Sequence, residues 1–507
     1  MSIKRIIITY SLLAIFAVTA CAQRLPQTTT PPKRELRSAW VSTVWGIDWP
    51  RQGAPAQKQK AELVRMLDSL KNNNFNAINL QVRSMSDAFY QSSYEPWSSY
   101  LTGSRGKYPG YDPLAFAVSE CHKRGMELHA WINPYRFSIS SVWNNERDQE
   151  AKKHLLKWGK FYILDPAQQW TIDRIVNVCR EVVTKYDVDG ILYDDYFYPE
   201  GISSTVAAPD YKEWKASGST LSFGDWRRDN VNRMVKAVYD MIQATKPWVR
   251  FGISPAGVAC TSKALAEKHG VEPCPSGSDW QYSGIFSDPV AWLKGHLIDF
   301  IAPQVYWKIG NRRADFGLVA PWWCKVARQF SRQAFVSMSI DKLVSTSEFP
   351  EWATEMELLR KNCAPGQSGT IFWSVRNLYN KPGLSEQLCH YLKRTVYQYP
   401  SLMPIAPWRN NVARKAPVVN FLKREGAALK WQLIPHCRYT VYAFPKSVDK
   451  SKFSTEVKYL LGMVYNPEQQ GADMVTYAIP AALRANYQFA VCALDRYGNE
   501  YAPSFTE

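Results

Sequence analysis

The sequence predicts an α/β protein, a (β/α)8 barrel followed by a small all-β sandwich, and three observations carry that expectation. From residue 34 to about residue 400, eight short apolar runs alternate with amphipathic helical patterns. Each run is apolar at consecutive positions, as strands buried on both faces of a parallel sheet are. After residue 407 the texture changes: residues 411–507 hold a single Trp, Trp431, and short runs of period-two character separated by turn residues.

Taken in order, the predicted barrel strands are 37–44, 77–82, 127–132, 190–193, 249–253, 300–305, 334–338 and 370–373. Helices are predicted between them at 58–72, 113–123, 170–185, 226–244, 289–295 and 352–361. In the third, Ile172, Ile175, Val176, Cys179, Val182 and Val183 form one stripe at helical spacing. Eight such units point to a closed barrel. A doubly wound sheet is disfavoured because no glycine-rich phosphate loop follows the first strand. In the tail, runs at 427–432, 439–443, 475–479 and 488–493 predict a β-sandwich of fibronectin type III kind over 411–507.

Residues 1–20 read as a secretory signal, with Lys4 and Arg5 before an apolar run and small residues before Cys21. The run is too short for a stable transmembrane anchor. Val18-Thr19-Ala20-Cys21 resembles the bacterial lipoprotein box, which implies lipidation of Cys21 and a membrane anchor. Residues 21–33, with Pro26, Pro31 and Pro32, then form an extended tether. The absence of Asp after Cys21 fits sorting to the outer membrane.

Of 507 residues, 46% are apolar and 21% charged, which excludes disordered, collagen-like and multi-span membrane chains. The net charge of +17 is spread out, with twelve Lys and Arg against eight Asp and Glu in residues 411–507. No long Lys/Arg block occurs, so no nucleic-acid partner is expected; a diffuse positive field suits anionic envelope polymers. The ten Cys are scattered. Cys121 and Cys179 fall in helical patterns, while Cys260 and Cys274 flank a loop and are able to pair, a connectivity the sequence does not assign. No CxxC or His/Cys cluster of zinc spacing occurs, so neither a metal nor a cofactor is expected.

Barrel chemistry sits at the carboxyl ends of the strands. Strand one is followed by Trp45, Asp48 and Trp49; strand two by Arg83 and Asp87; strand three by Asn133, Tyr135 and Arg136; strand four by Asp194, Asp195, Tyr196 and Tyr198. Ser254 and Pro255 follow strand five, Gln304, Tyr306 and Trp307 end strand six, Asp341 follows strand seven, and Trp373, Ser374 and Arg376 close strand eight. Adjacent carboxylates at a strand end both reach the mouth, and like charges held close push one pKa upward, giving a general acid. The bland alternative pairs Asp194 with Arg83 or Arg136 and leaves Asp195 solvated. Aromatic residues concentrated at the same strand ends predict stacking on apolar sugar faces.

Several segments carry a resemblance: Arg34-Glu35-Leu36-Arg37-Ser38-Ala39-Trp40-Val41, Asn79-Leu80-Gln81-Val82-Arg83, His129-Ala130-Trp131-Ile132-Asn133-Pro134-Tyr135-Arg136, Asp189 through Pro199, Phe251-Gly252-Ile253-Ser254-Pro255 and Ile301 through Trp307. In that order they resemble the glycosyl hydrolase-like family 10 over roughly residues 33–393. The resemblance implies a TIM-like barrel and glycosidase activity. A bacterial lipoprotein member is associated with cutting peptidoglycan strands stripped of their peptides, so a peptidoglycan-like glycan is the expected substrate.

On an N-acetylated glycan the adjacent pair has a defined use. The substrate acetamide oxygen acts as nucleophile, one carboxylate orients the acetamide and the other protonates the leaving oxygen. Asp194 is assigned as orienter, Asp195 as acid and base, and Tyr306 as partner of the developing oxazoline, with retention of configuration. Trp45, Asp48, Arg83, Asn133, Tyr135, Arg136, Tyr196, Tyr198, Gln304, Trp307 and Trp373 are the expected substrate-binding residues. The rivals are a two-carboxylate glycosidase using Asp87 or Asp341 as second acid, and a non-catalytic glycan-binding lipoprotein.

Overall fold

Residues 31–341, 343–379, 383–409, 416–466 and 472–506 are described by a computed structural model; the signal segment and Cys21 lie outside them. Eight parallel strands form the frame: β1 (Leu36–Val41), β2 (Ala77–Arg83), β3 (Glu127–Ile132), β4 (Gly190–Tyr193), β5 (Arg250–Ile253), β6 (Phe300–Ile301), β7 (Gln333–Ala334 and Val336–Ser339) and β8 (Gly369–Trp373). Each pairs with the next, and β1 also pairs with β8. Closure runs through β7. Its first half pairs with β6, its second half with β8, and the Phe335 N–H between them donates to Ile301 O at 2.9 Å.

The strand boundaries differ from the sequence expectation where local chemistry intervenes. β1 stops at Val41 because Val44–Gly46 turns into a short helical segment in which Trp45 adopts φ 55°. β6 stops at Ile301 because Pro303 has no N–H for the ladder; Gln304 makes only isolated bridges to Ala256 and Ser337. Helix Gln169–Lys185 buries Ile172, Ile175, Val178, Cys179, Val182 and Val183. Val178 thus takes the core position read for Val176, which is partly buried. Helix Phe316–Gln329, with Gly317 and Pro321 interrupting its pattern, and a three-stranded sheet (Arg136–Ile139, Leu155–Trp158 and Phe161–Leu164) were not legible.

Inside the barrel, Leu36, Trp40, Trp131, Leu192, Phe300, Phe335 and Ile371 pack on one another. Bulky rings fit there because the facing strands carry glycine. A Cβ on Gly252 would lie 2.3 Å from the Phe300 ring. Gly252→Ala is therefore expected to lower stability by about 1–3 kcal/mol through overpacking, read as an earlier denaturant midpoint.

The C-terminal residues form two antiparallel sheets of three and four strands over a core containing Leu429, Trp431, Tyr439, Val441, Val475 and Val491. They meet the barrel at the end where strands begin. Arg438 pairs with Glu127 at 3.3 Å and with Asp189, residues at the starts of β3 and β4. Tyr465 stacks on His122 with ring centroids 3.9 Å apart. Arg34 donates to Met403 O and Gly498 O, both at 2.8 Å, so the chain also enters the barrel at this end. The opposite end, where strands finish, is left for the site.

Candidate active site

β4 delivers Asp194 and Asp195 to the barrel mouth directly after Tyr193. The Asp194 Oδ1 accepts the Asp195 backbone N–H at 2.8 Å and Gln304 Nε2 at 3.1 Å, and Gln304 Nε2 also donates to Ser254 O at 3.1 Å. Asp194 is buried, Asp195 only partly. Burial, then the neighbouring Asp195 charge, pushes the Asp194 carboxyl well above the ordinary range; burial also raises Asp195, opposed by the neighbouring Asp194 and by the Arg136 charge. The pair therefore holds one proton where isolated carboxyls have lost theirs.

Each carboxyl lines its own chamber. Asp194 opens onto a cavity of about 220 Å³ walled by Trp40, Trp131, Tyr196, Gln304, Tyr306 and Trp373. Asp195 lines a second chamber of about 170 Å³ with Arg136, Tyr162, Tyr198, Glu200 and Trp280. Tyr196 belongs to both and is 40% exposed, with Arg136 stacked 3.5 Å from its ring centroid. In the first chamber Trp40 and Trp131 meet edge to face at 4.8 Å. Trp40 Nε1 donates to Ser337 Oγ at 2.8 Å, and Tyr306 Oη lies 3.3 Å from the same hydroxyl. Burial raises the Tyr306 phenol far above its usual range, so it stays a hydrogen-bond donor.

Of the residues expected to bind substrate, Arg136, Tyr196, Tyr198, Gln304 and Trp373 line the two chambers. Trp45, 60% exposed, stands free on the surface after β1. The structure does not bring the others to either chamber. Asp48 is buried, accepts the Ser42 N–H at 2.8 Å and the Ser374 hydroxyl at 2.7 Å, and so ties the end of β1 to the end of β8; burial lifts its carboxyl to about 6. Arg83 is buried against Glu95 at 3.0 Å and Pro134 O at 3.0 Å, rather than against Asp194. Asn133 accepts Trp131 Nε1 at 2.8 Å and thereby aims a chamber wall. Tyr135 and Trp49 lie in the core, Trp49 donating to Gln59 O at 2.9 Å, and Trp307 packs where a Cβ on Gly257 would lie 2.8 Å from its ring.

Among the residues raised as a second acid, Asp87 accepts the N–H groups of Ser84 and Met85 at 2.9 and 2.8 Å, and Asp341 accepts Asn377 Nδ2 at 2.8 Å; neither lines a chamber. Glu200 does, and sequence reasoning passed over it. Trp40 and Trp131 were missed as site residues because they lie inside strands, not after them. Their signal was present: large aromatics at barrel-interior positions need space above them. Tyr162 and Trp280 come from insertions that carry no barrel pattern.

A family model described as glycosyl hydrolase-like 10 matches residues 35–353. The chain belongs to the glycosyl hydrolase-like 10 family. It is 36% identical to "Glycosyl hydrolase YngK" of Bacillus subtilis (strain 168) over 76% of this chain and 76% of that one. It is 32% identical to "Glycosyl hydrolase DigH" of Escherichia coli (strain K12) over 73% of this chain and 89% of that one. Among solved structures, the catalytic domain of β-amylase from Paenibacillus polymyxa overlays with TM-score 0.46 at 10% identity, over 73% of this chain and 99% of that one. Assignment rests on the sequence relatives. As a member of this glycosyl hydrolase-like family the protein is a glycosidase, and the paired carboxyls in a Trp-walled mouth are its candidate catalytic groups.

Proposed function

We propose that the protein hydrolyses an N-acetylated glycan, peptide-free peptidoglycan strands in the first place, by a substrate-assisted retaining mechanism. The observation that carries this reading is that both carboxyls come from consecutive residues at the end of β4, with the Asp195 N–H donating to Asp194 Oδ1 at 2.8 Å. A protein nucleophile and its acid stand about 5–5.5 Å apart in retaining enzymes, and about 6.5–9.5 Å in inverting ones, to admit sugar or water. Two carboxyls on consecutive residues of one strand end, with Asp87 and Asp341 outside both chambers, do not supply that flanking arrangement. They suit a reaction in which the nucleophile arrives on the substrate.

The sugar carrying the reacting bond sits in the Trp40, Trp131 and Trp373 chamber, with its acetamide against Asp194 and Tyr306. The acetamide N–H donates to Asp194, favouring its ionised form, so the shared proton passes to Asp195. Asp195 faces the second chamber and gives that proton to the leaving oxygen, while the acetamide oxygen closes on the anomeric carbon. Tyr306 donates to the developing oxazoline oxygen. Asp195 then activates the water that opens the ring, restoring the proton.

Catalysis in the first step needs the protonated pair, and burial holds that proton above the ordinary Asp range. The expected pH profile of kcat/KM therefore keeps its plateau past the pH where ordinary carboxyls ionise and falls only as pH rises through the raised value. A falling limb in the normal Asp range removes this role from the pair. Incubation with peptide-free strands, scored for new reducing ends, tests the substrate; a thiazoline mimic of the oxazoline is expected to inhibit competitively. Wild-type protein that binds strands and releases nothing, or that ignores the thiazoline, overturns the reading.

Glu200 keeps a two-carboxylate mechanism as the second reading, because it lines the chamber that Asp195 faces. Substrate assistance expects Glu200→Gln to cost far less activity than Asp195→Asn. We also infer the lipid anchor at Cys21, outer-membrane attachment and a fibronectin type III character for the C-terminal sheets. The position of Arg34 beside Gly498 supports an anchor at the end away from the cleft.

A further inference from the structure

Helices Phe316–Gln329 and Phe349–Asn362 pack side by side, the first against β7 and the second against β8. Cys324 lies in the first and Cys363 caps the second, 39 residues apart in sequence, with their Sγ atoms 2.7 Å apart. That separation is closer than two sulfurs in ordinary contact and needs about 0.7 Å of closure to reach a covalent S–S bond. The sulfurs of Cys179, Cys274 and Cys389 instead face oxygens, of Tyr193, Ser276 and Leu378. Cys260 and Cys274, the pair that the sequence suggested, are both buried free thiols, and Cys274 N donates to Cys260 O at 3.0 Å.

A cavity of about 460 Å³, lined by Cys324, Cys363, Arg328, Gln333, Gln367 and Trp408, opens onto both thiols. We propose that Cys324 and Cys363 are a modification site that takes a small disulfide donor and forms an intrachain disulfide. The donor class is an oxidised glutathione-like disulfide or the disulfide of an oxidised dithiol protein. Cys363, the more exposed of the two thiols, is the first nucleophile, and Cys324 lies deeper.

Cys363 gives its proton to water and attacks one donor sulfur, breaking the donor S–S bond and releasing the first donor thiolate. Cys324 then loses its proton, attacks Cys363 Sγ in the mixed disulfide and expels the second donor thiolate. Two electrons pass to the donor, which leaves as two thiols carrying the two protons. The bond fixes the helix whose Glu351 accepts the Ile309 N–H at 2.8 Å, with Glu348 accepting Lys308 at 2.8 Å just before it. It therefore braces the loop that follows Tyr306 at the mouth.

The test is peptide mapping of the full native chain after incubation with oxidised glutathione, against a dithiothreitol-treated control, with free thiols alkylated first. Expected is a Cys324–Cys363 cross-linked peptide, an intact mass lower by two hydrogens, and a Tm several degrees higher than the reduced form. Cys324→Ser and Cys363→Ser each abolish the redox-dependent Tm shift. Separate alkylation of both cysteines after oxidation, or cross-links that join other cysteines instead, overturns the proposal; the wild-type map decides even if a variant fails to fold.

Discussion

Asp195→Asn is expected to reduce reducing-end release from peptide-free strands by about 10²–10⁴-fold, the usual worth of a positioned acid and base. Asp194→Asn is expected to lose about 10²-fold or more, since Asn presents no anion to the acetamide N–H and has no proton to pass on. Neither change should destabilise the fold. A neutral isostere at either position removes an ionisable carboxyl whose charged form is penalised by burial, so Tm should hold or rise. Initial rates together with melting curves check both halves. Equal activity of the variants and wild type removes the pair from catalysis, whereas lost activity with lost structure leaves it a structural pair.

Arg438→Met is expected to cost about 3–5 kcal/mol, because it strands two buried carboxylates at the junction of barrel and C-terminal sheets. Asp189 accepts Leu128 N–H at 2.8 Å and pairs with His122 at 3.0 Å as well as with Arg438. Burial alone raises its carboxyl, but the Arg438 charge, followed by His122, outweighs burial and holds it far below the usual range. A carboxyl lowered in the folded state contributes its stability above the unfolded pKa and loses it as pH falls toward the folded one. The wild-type advantage over Arg438→Met should therefore be full at neutral pH and shrink in acid. Denaturant curves at two pH values measure it. Activity below the melting range should persist, since this junction lies at the opposite end from Asp194.

The barrel was legible because buried parallel strands carry an unbroken apolar signal: β3 and β4 fall at their expected residues, and the others shift by only a few positions at Trp45, Pro303 or the neighbouring turns. The Arg136–Ile139 sheet escaped because its four-residue strands are too short to display a period. Asp194 and Asp195 stood out because adjacent acids at a strand end have few structural uses. The binding set was harder to read. A residue following a strand either turns into the mouth, as Gln304 does, or back into the frame, as Asp48 and Arg83 do, and sequence position is the same in both cases. Trp40 and Trp131 show the converse, since strand interiors also face the cavity once the barrel closes.

The central claim is that the two carboxyls serve a nucleophile carried by the substrate. The most direct measurement is the anomeric configuration of the first product released from peptide-free strands, followed by NMR before mutarotation. Retention is predicted. Inversion would mean that a water, and not the acetamide carried by the substrate, attacks the anomeric carbon, and would contradict the account.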